Sequence, residues 1–430
     1  MHWKNVYGTY VPCYLLINLK QTNVLLTDIK DIDERDKRIF FHENTHFLQN
    51  ITGGFGHSHI WYTYDRMRQI VSDLQKNAGN EITIPVKNPV TQYQELLADV
   101  MRSMEGSYHA RKPVDDNTAF AEIANMYLNE SFQKLYPGKK LYFLNLQLED
   151  DRKQKADYSF GESAVSETMA YLMESKHFGE EKVANFPYKA CQKVAGYIGT
   201  DFTDNKEWLF ALCDMAMVCN YPGMAFYTML LDMHHQNFKP QNTEEIYTEG
   251  EKLMKARGWD IWKDFETNKN NSIHVIKELF NHPIFKETLD WFIYILETGF
   301  KYRKENPYFM LNLYREESPF EGSWADIYTT FGTPQLHNAE QQRFFRAPLV
   351  MKDIEAMIEP LYLLSMKQVH DTLYHGKPNC DLIECCRGAK VGPEVDYRCK
   401  TEPWLRAKDE KTCAYGAQWM LFGLADKKVV

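Results

Sequence analysis

The sequence predicts an α+β fold that is predominantly helical, with a small β-sheet near the N-terminus, a helical lobe and a cysteine-rich C-terminal tail. Three observations predict it. Residues 8–28 alternate and are rich in Tyr, Val, Leu and Ile, which is the period of strands. From Ser159 to about His375 the pattern is almost wholly helical, with Gly and Pro at joins such as Tyr221-Pro222-Gly223. The last 55 residues are weakly periodic, Gly/Pro-punctuated and hold five cysteines.

Taken in order, two strands joined around Gln21-Thr22-Asn23 make a hairpin. Helices follow over 33–52 and 59–76, the second ending near Gly79. Segments 81–86 and 140–148 read as short strands, and 91–104 and 118–135 as helices. Residues 159–177 form a helix with clear ends. Beyond it the helical stretches are 207–218, 222–235, 243–257, 272–279, 285–300 and 351–373. The chain divides into a core over 1–180, a helical lobe over 181–375 and a tail over 376–430.

Composition sets limits on function. The 430 residues are 44% hydrophobic and 14% aromatic, ample for a packed core rather than a disordered chain. The net charge of −9, with basic residues scattered among acids, argues against a nucleic-acid partner. No apolar run reaches the roughly 20 residues of a membrane span, and the N-terminal residues lack a signal-peptide pattern. Nine cysteines, an odd number, fit a reducing compartment. The expected location is cytoplasmic.

The strongest signal is Phe41-His42-Glu43-Asn44-Thr45-His46-Phe47. Two histidines four apart sit about 40° apart around a helix, so both imidazoles reach one metal ion. The glutamate between them can take a proton from a water at that metal. By chance this pattern is expected roughly 0.03 to 0.04 times in such a chain. Asp31-Ile32-Asp33-Glu34 can start the helix as a capping box and Gly53-Gly54 can end it. With His42 at zero on the wheel, Gln49 lies at about −20°, while Phe40, Phe47, Leu48 and Ile51 fall at about 140° to 240°. The histidines therefore stand outside the apolar face.

A catalytic zinc usually takes three protein ligands and leaves room for water. The third can come from the 159–174 stretch, which holds Glu162, Glu167 and Glu174. Ser159-x-x-Glu162 reads as a capping box. Glu167 and Glu174 are seven apart and share one face amid apolar residues, where a carboxylate needs a partner.

His42-Glu43-Asn44-Thr45-His46 resembles the zinc-binding motif of the zincin metallopeptidases, and the longer run through Gln49 is similar to uncharacterised bacterial HExxH proteins. Phe47, Leu48, Gln49 and Asn50 replace the Gly-x-x-His continuation of metzincins. The resemblance therefore implies the gluzincin arrangement, with a glutamate ligand on a later helix. Glu167-Thr168-Met169-Ala170 resembles the Glu-x-x-Ala segment of several gluzincin-like ligand helices, although the Asn-Glu-x-x-Ser-Asp form of thermolysin-like enzymes is absent. It implies a zincin-like core holding catalytic zinc through His42, His46 and Glu167, with Glu174 and Glu162 as alternatives for the third. Glu43 would be the general base of a peptide-bond hydrolase. The expected partner is a protein or peptide substrate, with neither nucleic acid nor membrane; activation by a further partner stays open.

Two rival readings use the same residues. Glu43-x-x-His46 and Glu174-x-x-His177 could belong to a di-iron carboxylate site in a helical bundle, and a zincin-like fold could serve as a non-catalytic binding module. In the tail, Cys380, Cys385, Cys386, Cys399 and Cys413 suggest a structural zinc knot held by Cys380, Cys385, Cys399 and Cys413, with Cys386 interchangeable with Cys385. Disulfides or simple buried thiols are the alternatives. Cys13, Cys191, Cys213 and Cys219 read as core residues, and Trp404 and Trp419 as the contacts that pack the tail onto the body. His57 and His59 read as solvated loop residues, with lining the cleft as the alternative, His234-His235 as a helix end, and Tyr108 and His109 as candidate oxyanion donors.

Overall fold

A computed structural model describes residues 8–19, 34–77, 79–86, 91–107, 119–138, 140–338, 343–388 and 394–430. It is α+β and mostly helical. Strands β1 (Gly8–Val11) and β2 (Leu16–Leu19) pair antiparallel, joined by a tight turn through Pro12–Tyr14. Leu15 takes a left-handed conformation and reverses the chain there, a turn that the strand-like alternation does not mark. Gln21-Thr22-Asn23 and Asp31-Ile32-Asp33 lie outside the described residues.

Helix α1 (Glu34–Thr52) follows, and after the single break at Gly53 comes α2 (Gly54–Asn77). A short β3 (Glu81–Ile82) precedes α3 (Gln92–Glu105). A complete capping box opens α3: Thr91 and Gln94 each accept the other's backbone N–H. Then come β4 (Ala119–Leu128), α4 (Glu130–Leu135), β5 (Tyr142–Glu149) and β6 (Lys155–Phe160), the strands forming an antiparallel sheet in the order β4-β5-β6.

The helix expected over 118–135 is therefore mostly strand. Its Ala, Glu and Met favour helix, but Phe120 and Ile123 pair opposite Leu148 and Leu146. Register shifts between Phe120 and Glu122 and between Ile123 and Asn125 break the period-2 pattern that would have marked a strand.

Helix α5 (Glu162–Phe178) leaves β6 through Gly161. The proposed Ser159–Glu162 capping box does not form, since Ser159 belongs to β6 and Gly161 is the N-cap. A Cβ on Gly161 would stand 2.5 Å from the amide nitrogen of Gly106, itself at φ +76°. Only glycine allows the end of α3 to abut the start of α5 this closely.

A helical array follows: α6 (Ala190–Ile198), α7 (Lys206–Val218), α8 (Pro222–His235), α9 (Glu244–Ala256), α10 (Ile261–Leu279), α11 (Lys286–Glu305), α12 (Phe309–Arg315) and α13 (Ser323–Phe331). Asn205 and Asp260 cap α7 and α10 by accepting from Trp208 and Lys263 amides. Next come β7 (Gln335–His337) and β8 (Arg343–Phe344), then α14 (Leu364–His375). The stretch expected as one helix over 351–373 is 3-10 turns as far as Leu363, with Pro360 preventing a continuous helix. The tail holds α15 (Ile383–Gly388), α16 (Arg398–Thr401), α17 (Ala414–Leu421) and β9 (Lys428–Val429).

Distant parts of the chain join. β7 pairs parallel with β2, giving the sheet order β1-β2-β7-β8, and β9 pairs parallel with β3. One hydrophobic cluster reaches from Cys13 to Leu424, so the core crosses both residue 180 and residue 375. Cys13, Cys191, Cys213 and Cys219 are buried in it. Trp419 is buried with Trp404 packed on it at 6.1 Å.

Helix α1 runs through this core. Phe40, Phe41, Phe47, Leu48 and Ile51 are buried, but so are Asn44, Thr45, Gln49 and Asn50. On one flank α11 lies flush against it: a Cβ on Gly299 would be 2.1 Å from the Ile51 carbonyl oxygen. Arg303 of α11 donates to the Thr52 carbonyl at 3.2 Å and makes a fully buried ion pair with Asp214 of α7, which also accepts from Tyr247 at 2.8 Å.

Candidate metal centre

Four-residue spacing stacks His42 and His46 on one face of α1, their Nε2 atoms 3.2 Å apart. From the facing helix α5, Glu167 brings Oε2 to 3.2 Å from His42 Nε2 and Oε1 to 3.5 Å from His46 Nε2. One ligand atom from each of the three lies within 4.8 Å of the other two. Two imidazoles and a carboxylate, all largely buried, form a donor set suited to zinc.

Each imidazole is gripped from behind. His42 Nδ1 lies 2.8 Å from Glu174 Oε2, and His46 Nδ1 lies 2.8 Å from Gln49 Oε1. Carboxylate and amide oxygens only accept, so both Nδ1 atoms carry a proton and both Nε2 atoms face the shared point. Arg38 donates to Glu174 and also to the Gly179 carbonyl at 3.0 Å, while Gln49 donates to the Ser166 carbonyl at 3.1 Å. Of the three glutamates considered, Glu167 therefore meets the histidines, Glu174 stands behind His42, and Glu162 lines the adjoining cleft.

Electrostatics fit a cation site. Burial pushes the His42 imidazolium down, but hydrogen bonds and charge from Glu167 and Glu174 together hold it well above its ordinary value. Burial likewise opposes the Glu167 carboxylate, which His46 and His42 hold well below the usual range. A metal ion would replace the protons that now balance these carboxylates.

Glu43 faces a cleft of about 390 Å3 shared with His46, Gln49, Glu105, Glu162 and Glu167. Burial raises its carboxyl pKa, while His42 and His46 draw it back and the Tyr10 amide donates to it. Strand β1 passes directly over Glu43. A Cβ on Gly8 would stand 2.9 Å from Glu43 Oε1, so the strand approaches only because residue 8 has no side chain. Among the described residues β2 is the one strand paired with β1, whose Thr9 and Tyr10 line the cleft.

Tyr10 and Tyr188 belong to this site without having been picked out by sequence. Tyr188 sets its ring edge-on to His42 at 6.1 Å, and its phenol feels Glu167, Glu43 and Glu174. Nothing in its local pattern marks it. Burial pushes the Glu162 carboxyl up to about 7. His59, expected in a solvated loop, lies in α2 on the cleft wall 3.3 Å from Glu105. His57 is wholly buried, because α2 begins at Gly54 and leaves no loop. Tyr108 and His109 lie outside the described residues.

His177 stands apart from the His42, His46 and Glu167 group. Its ring packs edge-on against Phe41 at 5.0 Å and near Trp324. In the tail, Cys380, Cys386, Cys399 and Cys413 line one small cavity, and all four are free thiols. The Cys385 side chain lies outside the described residues. No described helix is long and apolar enough to cross a membrane. No family model, curated protein or solved structure matches the chain.

Proposed function

We propose that the protein is a zinc-dependent metallopeptidase of the zincin type, gluzincin-like in its ligands, with His42, His46 and Glu167 holding the metal. The observation that carries this reading is the convergence of two Nε2 atoms and one carboxylate on a point beside Glu43, at the end of an open cleft. A zinc ion held there supplies Lewis acidity toward a water and a substrate carbonyl.

The chain's own residues do the rest. Glu43 accepts a proton from the attacking water and delivers it to the leaving amine. Its raised pKa suits a group that must both take and release a proton. Glu174 and Gln49 fix the tautomer and tilt of the two rings. Among the described residues β1 has no second strand partner, and its backbone on that side favours an extended peptide over a small amide as substrate.

The di-iron alternative finds less support, since His177 is packed among aromatic rings away from the ligand group. A non-catalytic binding module would have no use for a carboxylate held beside the ligands and open to the cleft. The test is Glu43→Gln, assayed on a peptide library with metal content measured alongside. Turnover should fall by several orders of magnitude while metal is retained. Undiminished turnover would contradict the mechanism.

A further inference from the structure

The thiols of the tail come from four separate places: Cys380 before α15, Cys386 within it, Cys399 in α16 and Cys413 at the N-cap of α17. All four line a small, partly open cavity of about 10 Å3, room for roughly one small ion or water. The lining also includes Leu382, Ile383, Pro403 and Tyr415, together with the charged Glu394 and Arg406.

Donors are aimed at the sulphurs. The Gly416 amide donates to Cys413 Sγ at 3.4 Å, joined by the Tyr415 amide. The Leu382 amide donates to Cys380. The buried guanidinium of Arg406 reaches Cys399 Sγ at 3.5 Å. Burial pushes the Cys380, Cys386 and Cys413 thiols up and these donors work against it, as thiolates held on a metal would need, while Arg406 is itself paired with Asp396 and Asp409. Within the segment Arg398 and Arg406 pair with Asp396 and Asp409, but its regular structure is scant. α15 and α16 are 6 and 4 residues long, too short to be stable alone.

We infer that Cys380, Cys386, Cys399 and Cys413 form a structural zinc site that ties the tail together, separate from the His42–His46–Glu167 centre. Four sulphur donors without an open position match the closed tetrahedral geometry of structural zinc. No three of these sulphurs lie within the 4.8 Å that gathers the first centre, so loading draws them inward around the cavity until each reaches about 2.3 Å from the ion. Pairing as two disulfides would equally consume the thiols, so the test must tell metal from oxidation.

The experiment uses the full chain carrying His46→Ala, purified under reducing conditions. Zinc is measured by mass spectrometry and then released with a mercurial thiol titrant in the presence of a zinc indicator. One zinc per chain, freed as thiols are titrated, is the expected result. Cobalt in place of zinc should give the thiolate-to-metal charge-transfer bands of a tetrahedral sulphur site. The Cys399→Ser/Cys413→Ser variant should lose that zinc. If that variant fails to fold, the titration of the His46→Ala chain decides alone. A His46→Ala chain without zinc, or one whose zinc is untouched by thiol titration, would overturn the proposal. So would disulfides in place of titratable thiols.

Discussion

Glu174 Oε2 lies 2.8 Å from Nδ1 of His42, on the opposite side of the imidazole from Glu167. Two glutamates seven residues apart on one helix thus clasp a single histidine, one beside its Nε2 and one behind it. The second acts through the first ring's orientation, and Arg38 holds it in turn. This predicts that Glu174→Gln weakens metal affinity about 10- to 100-fold while the fold stays intact. Competition with a chelator of known affinity measures it, and an unchanged affinity would remove Glu174 from the site.

The Tyr188 phenol senses Glu167, Glu43 and Glu174. If it donates to the developing oxyanion, Tyr188→Phe should lower kcat about 10²- to 10³-fold with little change in KM. Metal content should stay at the wild-type level. A parallel loss of metal would instead assign Tyr188 to ring packing against His42.

The buried Arg303–Asp214 pair braces α11 and α7 against the end of α1. Removing one partner leaves a buried charge uncompensated, so Arg303→Met should cost about 3–5 kcal/mol in denaturant unfolding. Arg303→Met/Asp214→Leu should recover much of that loss, because the orphaned charge is then gone. Equal destabilisation by the single and double changes would show that packing dominates.

His57 gives a stability prediction with a definite sign. Its Nε2 donates to the Ile51 carbonyl at 2.8 Å, while Nδ1 is buried without a partner, and burial depresses its pKa to about 4. The unfolded chain binds this proton near pH 6.5 and the folded chain only near pH 4. His57 therefore leaves stability intact above pH 6.5 and lowers it as pH falls toward 4, by about 3 kcal/mol at most. Unfolding of the wild type and of His57→Gln should diverge in pH slope within that window, the variant being flatter. Parallel slopes would refute the assignment.

The helix of His42 and His46 and the facing Glu167 and Glu174 were the most legible parts of the chain. The i,i+4 histidines, the far-side apolar residues and the shared face of Glu167 and Glu174 all follow from helical geometry, which is local. Gln49 even showed its place on the wheel beside His42. What stayed hidden depended on tertiary contacts. Tyr188 and Tyr10 reach the site from a loop and an edge strand whose placement no local period encodes. β4 hid behind two bulges and helix-favouring side chains, and only its pairing with β5 decides its state. His57 and His59 were misplaced because Gly53-Gly54 read as a loop, although the chain turns on Gly53 alone and starts α2 at once. The parallel pairings of β2 with β7 and β3 with β9 join residues hundreds of positions apart, beyond any pattern along the sequence.

The most direct test of the central claim is the metal content of the purified chain, wild type against His46→Ala and Glu167→Gln, by mass spectrometry at matched protein concentration. The account predicts that each substitution removes or severely weakens one equivalent of zinc while the protein remains folded by circular dichroism. Zinc content independent of both His46 and Glu167, or iron at about two per chain, would contradict it.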